Sequence, residues 1–145
     1  MTFNHKLVKK VSFDLYLAGL SLSTYAVDAV YQISNAEGSI TLSESSGVIT
    51  LPAGRYMLEA SPHIDAVSTT DVVKWSWQQD NAGTFENIGL EGQLQVIGDT
   101  IGEKDLALAV VDSDSAVDVR LIVTAMTSTG TPTDEGGCVV IWRES

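Results

Sequence analysis

The residues best suited to bind a metal are Asp112, Asp114 and Asp118, which share the short run DSDSAVD at positions 112–118. Oxygen ligands at alternating positions are what a calcium ion prefers. The run lacks the glycine and the closing glutamate of an EF-hand loop, and a tight polar turn between two strands uses Asp and Ser equally well. We therefore interpret the run as a turn and expect neither a metal site nor a cofactor.

Groups suited to covalent or acid–base catalysis are sparse. The two histidines, His5 and His63, have no nucleophile signature beside them, and the single cysteine, Cys138, precedes the apolar residues 139–142, where a thiol is normally buried and inert. The sequence contains no Gly-x-Ser-x-Gly, no His-Glu-x-x-His and no glycine-rich loop for phosphates or dinucleotides. A site assembled from distant loops needs no local motif. The balance favours a protein that is not an enzyme.

Composition restricts the partners. The 145 residues, 44% of them hydrophobic and 19% charged, suit one globular domain. Nineteen acidic residues against eight basic ones give a formal net charge of −11, a field that repels nucleic acid. No run of about 18 apolar residues is present to span a membrane. The basic start at Lys6, Lys9 and Lys10 is not followed by the apolar stretch of a secretory signal, so we expect synthesis in a cytosol.

Alternating hydrophobicity predicts an all-β fold. Val73, Trp75 and Trp77 share one face of a predicted strand over 72–78, and residues 117–125 alternate in the same way. A turn at 51–54 precedes a strand over 55–60. The other predicted strands cover 9–17, 27–33, 39–42, 48–51, 84–88, 93–97, 106–111 and 139–143. Because polar and glycine-rich turns separate them, we predict an antiparallel sandwich of about eight to ten strands and no long helix.

The tryptophans Trp75, Trp77 and Trp142 have two interpretations. Aromatic residues in strands usually fill the core, whereas exposed ones form stacking platforms for sugar rings or anchors at subunit interfaces. The sequence alone leaves both interpretations open.

The segment GVITLPAGRYMLEASP at residues 47–62 carries a family resemblance. It resembles a strand pair of the trimeric jelly-rolls of the tumour-necrosis-factor and complement-globular-head type, which also occur in phage fibre and capsid proteins. Segments 72–78, 117–125 and 138–143 follow in family order, so the resemblance spans residues 40–145. It implies a two-sheet jelly-roll that assembles as a homotrimer. The chain lacks a collagen-like stalk and an evident signal or anchor, and these differences favour the phage branch.

A trimeric jelly-roll implies an interface on the outer faces of its sheets. A sandwich buries only one face of each sheet, so outward apolar residues need a partner subunit. We predict that Met57, Ile97 and Ile122 lie at that interface, together with Trp75 and Trp77 in the second interpretation of the tryptophans.

The basic segment 1–10 differs from the acidic remainder, 11–145, which we assign to the jelly-roll domain. We predict that the segment is an attachment arm and that its contacts are made by Phe3, Lys6, Leu7, Lys9 and Lys10. The resulting expectation is a structural protein of the phage virion surface, made in the host cytoplasm, that binds the capsid as a decoration or head-fibre subunit. The alternative is a tail fibre or other module that binds a host-surface glycan.

Overall fold

The computed structural model describes residues 9–16, 28–35, 40–43, 47–65, 72–97, 100–126 and 134–144. Within these ranges it contains eleven strands and no helix, so none of the described residues forms a helix able to cross a bilayer. The strands are β1 (Lys9–Tyr16), β2 (Asp28–Asn35), β3 (Thr41–Ser43), β4 (Val48–Leu51), β5 (Gly54–Asp65), β6 (Val72–Asn81), β7 (Thr84–Ile97), β8 (Thr100–Lys104), β9 (Ala107–Ser113), β10 (Val117–Met126) and β11 (Asp134–Arg143). The predicted all-β fold is confirmed.

The strands form two antiparallel sheets. Sheet A has the order β2-β1-β11-β5-β9, and sheet B has the order β7-β6-β10-β4-β3 with β8 added beside β7. The two sheets meet at one residue pair, Leu90 of β7 with Leu108 of β9. This arrangement confirms the predicted two-sheet jelly-roll, although eleven strands exceed the expected eight to ten.

Two turns show how the sequence directs the chain. Ala82 and Gly83 have φ values of 53° and 91°, which suits the two-residue turn of the β6–β7 hairpin. The predicted turn at 51–54 joins β4 of sheet B to β5 of sheet A, so it carries the chain from one sheet to the other. There the Tyr56 hydroxyl donates a hydrogen bond of 2.8 Å to the Pro52 carbonyl, which fixes this crossing.

The hydrophobic core lies between the sheets. Its largest fully buried side chains come from both sheets and are those of Trp75, Trp77, Tyr56, Leu51, Leu58, Ile141, Val73, Val111 and Val119. Trp75 and Trp77 are 0% exposed in the single chain, so the prediction that they lie at a subunit interface is wrong. Burial of a large aromatic surface stabilises the subunit itself, and nothing of either side chain remains for a partner.

An irregularity in β7 merges two predicted strands, 84–88 and 93–97, into one. Residues 89–91 stand opposite the single residue Ser76 of β6, which makes a bulge. Gly89 occupies the left-handed region there with φ of 73°. At the bulge the strand bends toward sheet A, where Leu90 pairs with Leu108 of β9.

The start of β1 falls inside the segment predicted to be an attachment arm. Lys9 and Lys10 begin β1 and pair with Arg143 and Trp142 of β11, so they belong to sheet A and not to a free arm. The arm predicted over 1–10 therefore ends at residue 8 or earlier, because ladder pairing of β1 with β11 fixes the backbone from Lys9 onward. Phe3, Lys6 and Leu7 lie outside the described residues.

Candidate functional site

An apolar row crosses the outer face of sheet A. Trp142 of β11 pairs with Met57 of β5, and Met57 pairs with Val110 of β9. Met57 is 43% exposed and Val110 is 60% exposed, while their neighbours in sequence, Tyr56 and Val111, are buried in the core. Alternation along each strand thus sends one apolar set inward and a second one outward. We call the row Trp142, Met57 and Val110 the apolar row.

The apolar row lines a shallow groove of about 440 Å³. Charged groups border it at one end, where Arg55 lies 3.7 Å from the Glu144 carboxylate. The Arg55 carbonyl also accepts a backbone hydrogen bond of 2.9 Å from the Glu144 amide. A surface ion pair of this length contributes about 0–1 kcal/mol. The groove is therefore suited to apolar contact, with a charged border at one end.

A carboxylate interrupts the next row of the same face. Glu59 of β5 pairs with Val140 of β11 on one side and with Leu108 of β9 on the other. It also lines the groove beside Met57.

Two exposed leucines lie at the edge where sheet A meets sheet B. Leu90 in the β7 bulge is 67% exposed, and Leu106, just before β9, is 44% exposed. The loop that holds Leu106 is fixed against β7, because the Asp105 amide donates a hydrogen bond of 2.8 Å to the Gln93 carbonyl. We call Leu90 and Leu106 the leucine edge. By register the leucine edge continues the outer face of sheet A, because Leu90 pairs with Leu108, which lies two residues before Val110 on β9.

The described part of the outer face of sheet B is mostly polar, although Ile122 and Phe85 also lie on it by register. Arg120 lies 4.0 Å from the centre of the Phe85 ring and donates a hydrogen bond of 2.8 Å to Gln78. Elsewhere on this sheet, Lys74 pairs with Glu91 at 3.3 Å. These polar groups bond to one another across strands, so this face is suited to water.

The predicted interface residues are divided between the two sheets. Met57 lies in the apolar row, whereas Ile122 belongs to β10 of sheet B and pairs with Ser76. Ile97 ends β7, and its side chain lies outside the described residues. Met57 alone of the predicted set lies on the apolar outer face of sheet A.

The aspartate run forms the short connection between β9 and β10, as predicted for a turn. The Ser113 hydroxyl donates to the Ser115 carbonyl at 2.9 Å, and Thr50 donates to Asp118 at 2.5 Å. These bonds close the turn and connect it to β4. Within the described residues no three His, Cys, Asp or Glu side chains are grouped to hold a metal. The side chains of His63 and Cys138 lie outside the described residues.

Sequence reasoning missed Val110 and the leucine edge, and it left Trp142 open between the core and an interface. The signal was present in the segment LALAVV at 106–111, where both alternating sets are apolar. A strand whose outer face is in water has apolar residues only at the alternate positions that point into the core. Apolar residues at the outward positions as well indicate that something covers the outer face.

Comparison with known proteins identifies the fold. No family model matches the chain, and no curated protein sequence matches it. Among solved structures, Eiger TNF from S. frugiperda is similar at 12% identity with a TM-score of 0.54, covering 94% of each chain. Murine APRIL has 9% identity and a TM-score of 0.57, covering 93% of this chain and 99% of its own. The globular domain of zebrafish complement 1qA has 13% identity and a TM-score of 0.56, covering 93% of each.

These similarities assign the chain to a class by fold. It has the jelly-roll fold shared by tumour-necrosis-factor-like proteins and complement globular heads, which confirms the resemblance at that level.

Proposed function

We propose that this protein is a non-enzymatic structural module that assembles as a homotrimer through the outer face of sheet A. The observation that carries the proposal is the apolar row, Trp142, Met57 and Val110, on one outer face of a sandwich whose other face is mostly polar. Exposed apolar surface of this kind marks an interaction site in soluble proteins. Proteins with this fold form homotrimers, which supports further copies of this chain as the partners that cover the apolar row.

Closure of a threefold ring supports the same assignment. A ring of three needs two different patches on every subunit, because each copy meets its neighbours head to tail. The apolar row crosses β11, β5 and β9, whereas the leucine edge lies on β7 and just before β9, and we assign these two parts of the outer face as the two patches. We expect the row of one subunit to pack against the leucine edge of the next.

We place this trimer on the surface of a phage virion, as a capsid decoration or head-fibre subunit made in the host cytoplasm. The support is the resemblance of residues 47–62 to phage trimers, joined with an acidic head, a basic N-terminal segment and a net charge of −11 for the whole chain. The alternative is a tail fibre or other module that binds a host-surface glycan through tryptophans or acidic loop residues. Trp75 and Trp77 are buried, which leaves Trp142 and the acidic loops as its candidate contacts.

Replacement of one exposed valine tests the trimer. Val110→Asp puts a charge into the apolar row, and we expect the variant to remain folded but to lose trimers, because burying an unpaired charge is costly. Thr41→Asp is the matched control, since Thr41 is a β-branched and exposed residue on the edge strand of sheet B. Light scattering gives the mass, and circular dichroism checks the fold. A monomeric wild type at micromolar concentration, or a trimeric Val110→Asp, would overturn the proposal.

A further inference from the structure

The last residue of β11, Arg143, contacts the turn that carries the chain from sheet B to sheet A. Arg143 pairs with Tyr56 in the ladder between β11 and β5. Its guanidinium donates a hydrogen bond of 2.8 Å to the Ala53 carbonyl and lies 5.5 Å from the centre of the Tyr56 ring. A Cβ atom on Gly54 would lie 3.1 Å from the Arg143 Nε atom, so the guanidinium rests directly against the turn.

Glu144, the residue after β11, adds two contacts at the start of β5. Its amide donates a hydrogen bond of 2.9 Å to the Arg55 carbonyl, and its carboxylate lies 3.7 Å from the Arg55 guanidinium. We call Arg143 and Glu144 the clasp. Together its two residues contact every position from 53 to 56.

The clasp connects the turn to the groove of the apolar row. Arg55, Tyr56 and Glu144 all line that groove, whereas Arg143 is not among its described lining residues. Alternation along β11 explains this difference, because Trp142 points outward and Arg143 points inward, against the buried Tyr56. Arg143 therefore acts on the groove only through the residues that it holds.

A turn that is held in place before a partner arrives lowers the cost of association. A loop that becomes ordered only on binding loses conformational freedom at that moment, and the affinity falls accordingly. Arginine is suited to holding the turn, because its planar guanidinium donates to a carbonyl and stacks on an aromatic ring at the same time. A hydrogen bond from a charged donor is also stronger than one between neutral groups.

We infer that Arg143 is a positioning residue for self-association, which holds residues 53–56 in the arrangement that a partner subunit meets at the groove. The inference rests on the proposed function, because it takes the groove as the surface of assembly. It assigns a role in assembly to a residue that does not itself line the groove.

The Arg143→Ala variant tests the inference in the full chain. We expect the association constant to fall on the order of tenfold, because the turn must then be ordered on binding. Backbone amides at 53–55 should also exchange faster with deuterium in the separate subunit, since exchange reports local opening. Arg143→Lys keeps a charged donor for the Ala53 carbonyl, so it should show smaller changes of both kinds. If Arg143→Ala does not fold, the comparison is made with Arg143→Lys.

The matched control is Arg120→Ala. Arg120 is half-buried like Arg143, donates a hydrogen bond of 2.8 Å to Gln78 and lies 4.0 Å from the centre of the Phe85 ring, but on the outer face of sheet B. We expect this variant to associate as the wild type does. Exchange is compared in the Val110→Asp background, in which the subunits are expected to stay apart.

Association is measured by sedimentation equilibrium, and exchange is measured by mass spectrometry of peptides that contain the turn. An Arg143→Ala variant that associates as the wild type does would overturn the inference. Weaker association with unchanged exchange at 53–55 would overturn it as well, and so would an equal loss of association in Arg120→Ala. Failure of the wild type to associate would instead overturn the proposed trimer, while the exchange rates would still report whether the clasp orders the turn. The two failures are therefore distinguishable.

Discussion

Trp77 donates its indole N–H to the carbonyl oxygen of Ala107 across 3.2 Å, and the bond is buried. Trp77 belongs to β6 of sheet B, whereas Ala107 begins β9 of sheet A. The bond therefore joins the two sheets through the core. Trp75, two residues earlier, is equally buried, but its indole nitrogen has no hydrogen-bond partner among the described residues.

This difference predicts unequal costs for two similar substitutions. Trp77→Phe removes a ring and a buried hydrogen bond, whereas Trp75→Phe removes a ring and a buried N–H that has no partner among the described residues. We expect Trp77→Phe to lower the free energy of unfolding by about 1–2 kcal/mol more than Trp75→Phe does. Urea unfolding of both variants at one protein concentration measures the difference. Equal losses would show that the bond contributes nothing net.

The two tryptophans also show how far the sequence predicts the fold. Alternation of Val73, Trp75 and Trp77 with Lys74 and Ser76 correctly predicted a strand and its two faces. It did not decide whether the aromatic face met the core or a partner, because that depends on which sheet lies opposite. Which sheet lies opposite is set by contacts between residues far apart in the sequence, and no local pattern specifies those contacts.

The same limit applies to β7 and to the candidate site. The bulge at 89–91 depends on a register against β6 that no local pattern specifies. The apolar row likewise requires that Met57, Val110 and Trp142 come from three strands far apart in sequence. Both alternating sets of 106–111 are apolar, so the sequence does contain part of this signal.

Gly92 allows β7 to approach the start of β9 closely. A Cβ atom at this position would lie 2.6 Å from the Ala107 nitrogen and 2.7 Å from the Asp105 oxygen, both backbone atoms. We expect Gly92→Ala to destabilise the protein by about 2–3 kcal/mol, because the backbone must shift.

Gly83→Ala is the control for this substitution. Gly83 has open space around it but φ of 91°, so we expect only the loss of about 1 kcal/mol for a strained turn. Thermal unfolding compares the two variants. A Gly92→Ala variant as stable as Gly83→Ala would contradict the close approach of β7 and β9.

The leucine edge predicts a second class of assembly variant. Leu90 is 67% exposed, so Leu90→Asp should leave the subunit fold intact while it weakens trimer formation. The reason is that a charge replaces an apolar group expected to be covered by the next subunit. Light scattering against the Thr41→Asp control measures the effect. A trimeric Leu90→Asp variant would show that the ring closes through a different surface.

The turn interpretation of residues 112–118 predicts little response to chelation. The turn is closed by hydrogen bonds from Ser113 and Thr50, so it needs no cation to hold its shape. We expect EDTA to leave the melting temperature unchanged, and calcium to have no effect after EDTA is removed. A fall of many degrees that calcium reverses would show instead that the aspartates bind a metal.

Deletion of the N-terminal segment tests whether the protein is attached to the virion through this segment. The proposed tether contains Phe3, Lys6 and Leu7, and β1 begins at Lys9, so deletion of residues 1–8 should leave the jelly-roll and its trimer intact. We expect the deleted form to bind poorly to particles that lack the protein. Binding of the full chain should also weaken as salt rises, because the Debye length is about 8 Å at physiological ionic strength. The part of the binding that Phe3 and Leu7 contribute should persist at high salt, because apolar contacts are not screened.

Two controls separate the tether from the virion assignment. The deleted form must have the same mass and circular dichroism spectrum as the full chain, so that loss of binding reports attachment and not unfolding. A Lys6→Ala variant of the full chain removes charge while it keeps the apolar contacts, and it should retain the part of binding that resists salt. Undiminished binding after deletion would refute the tether alone. Absence of the protein from purified particles would refute the virion assignment itself, because a surface subunit must stay with the particle through purification.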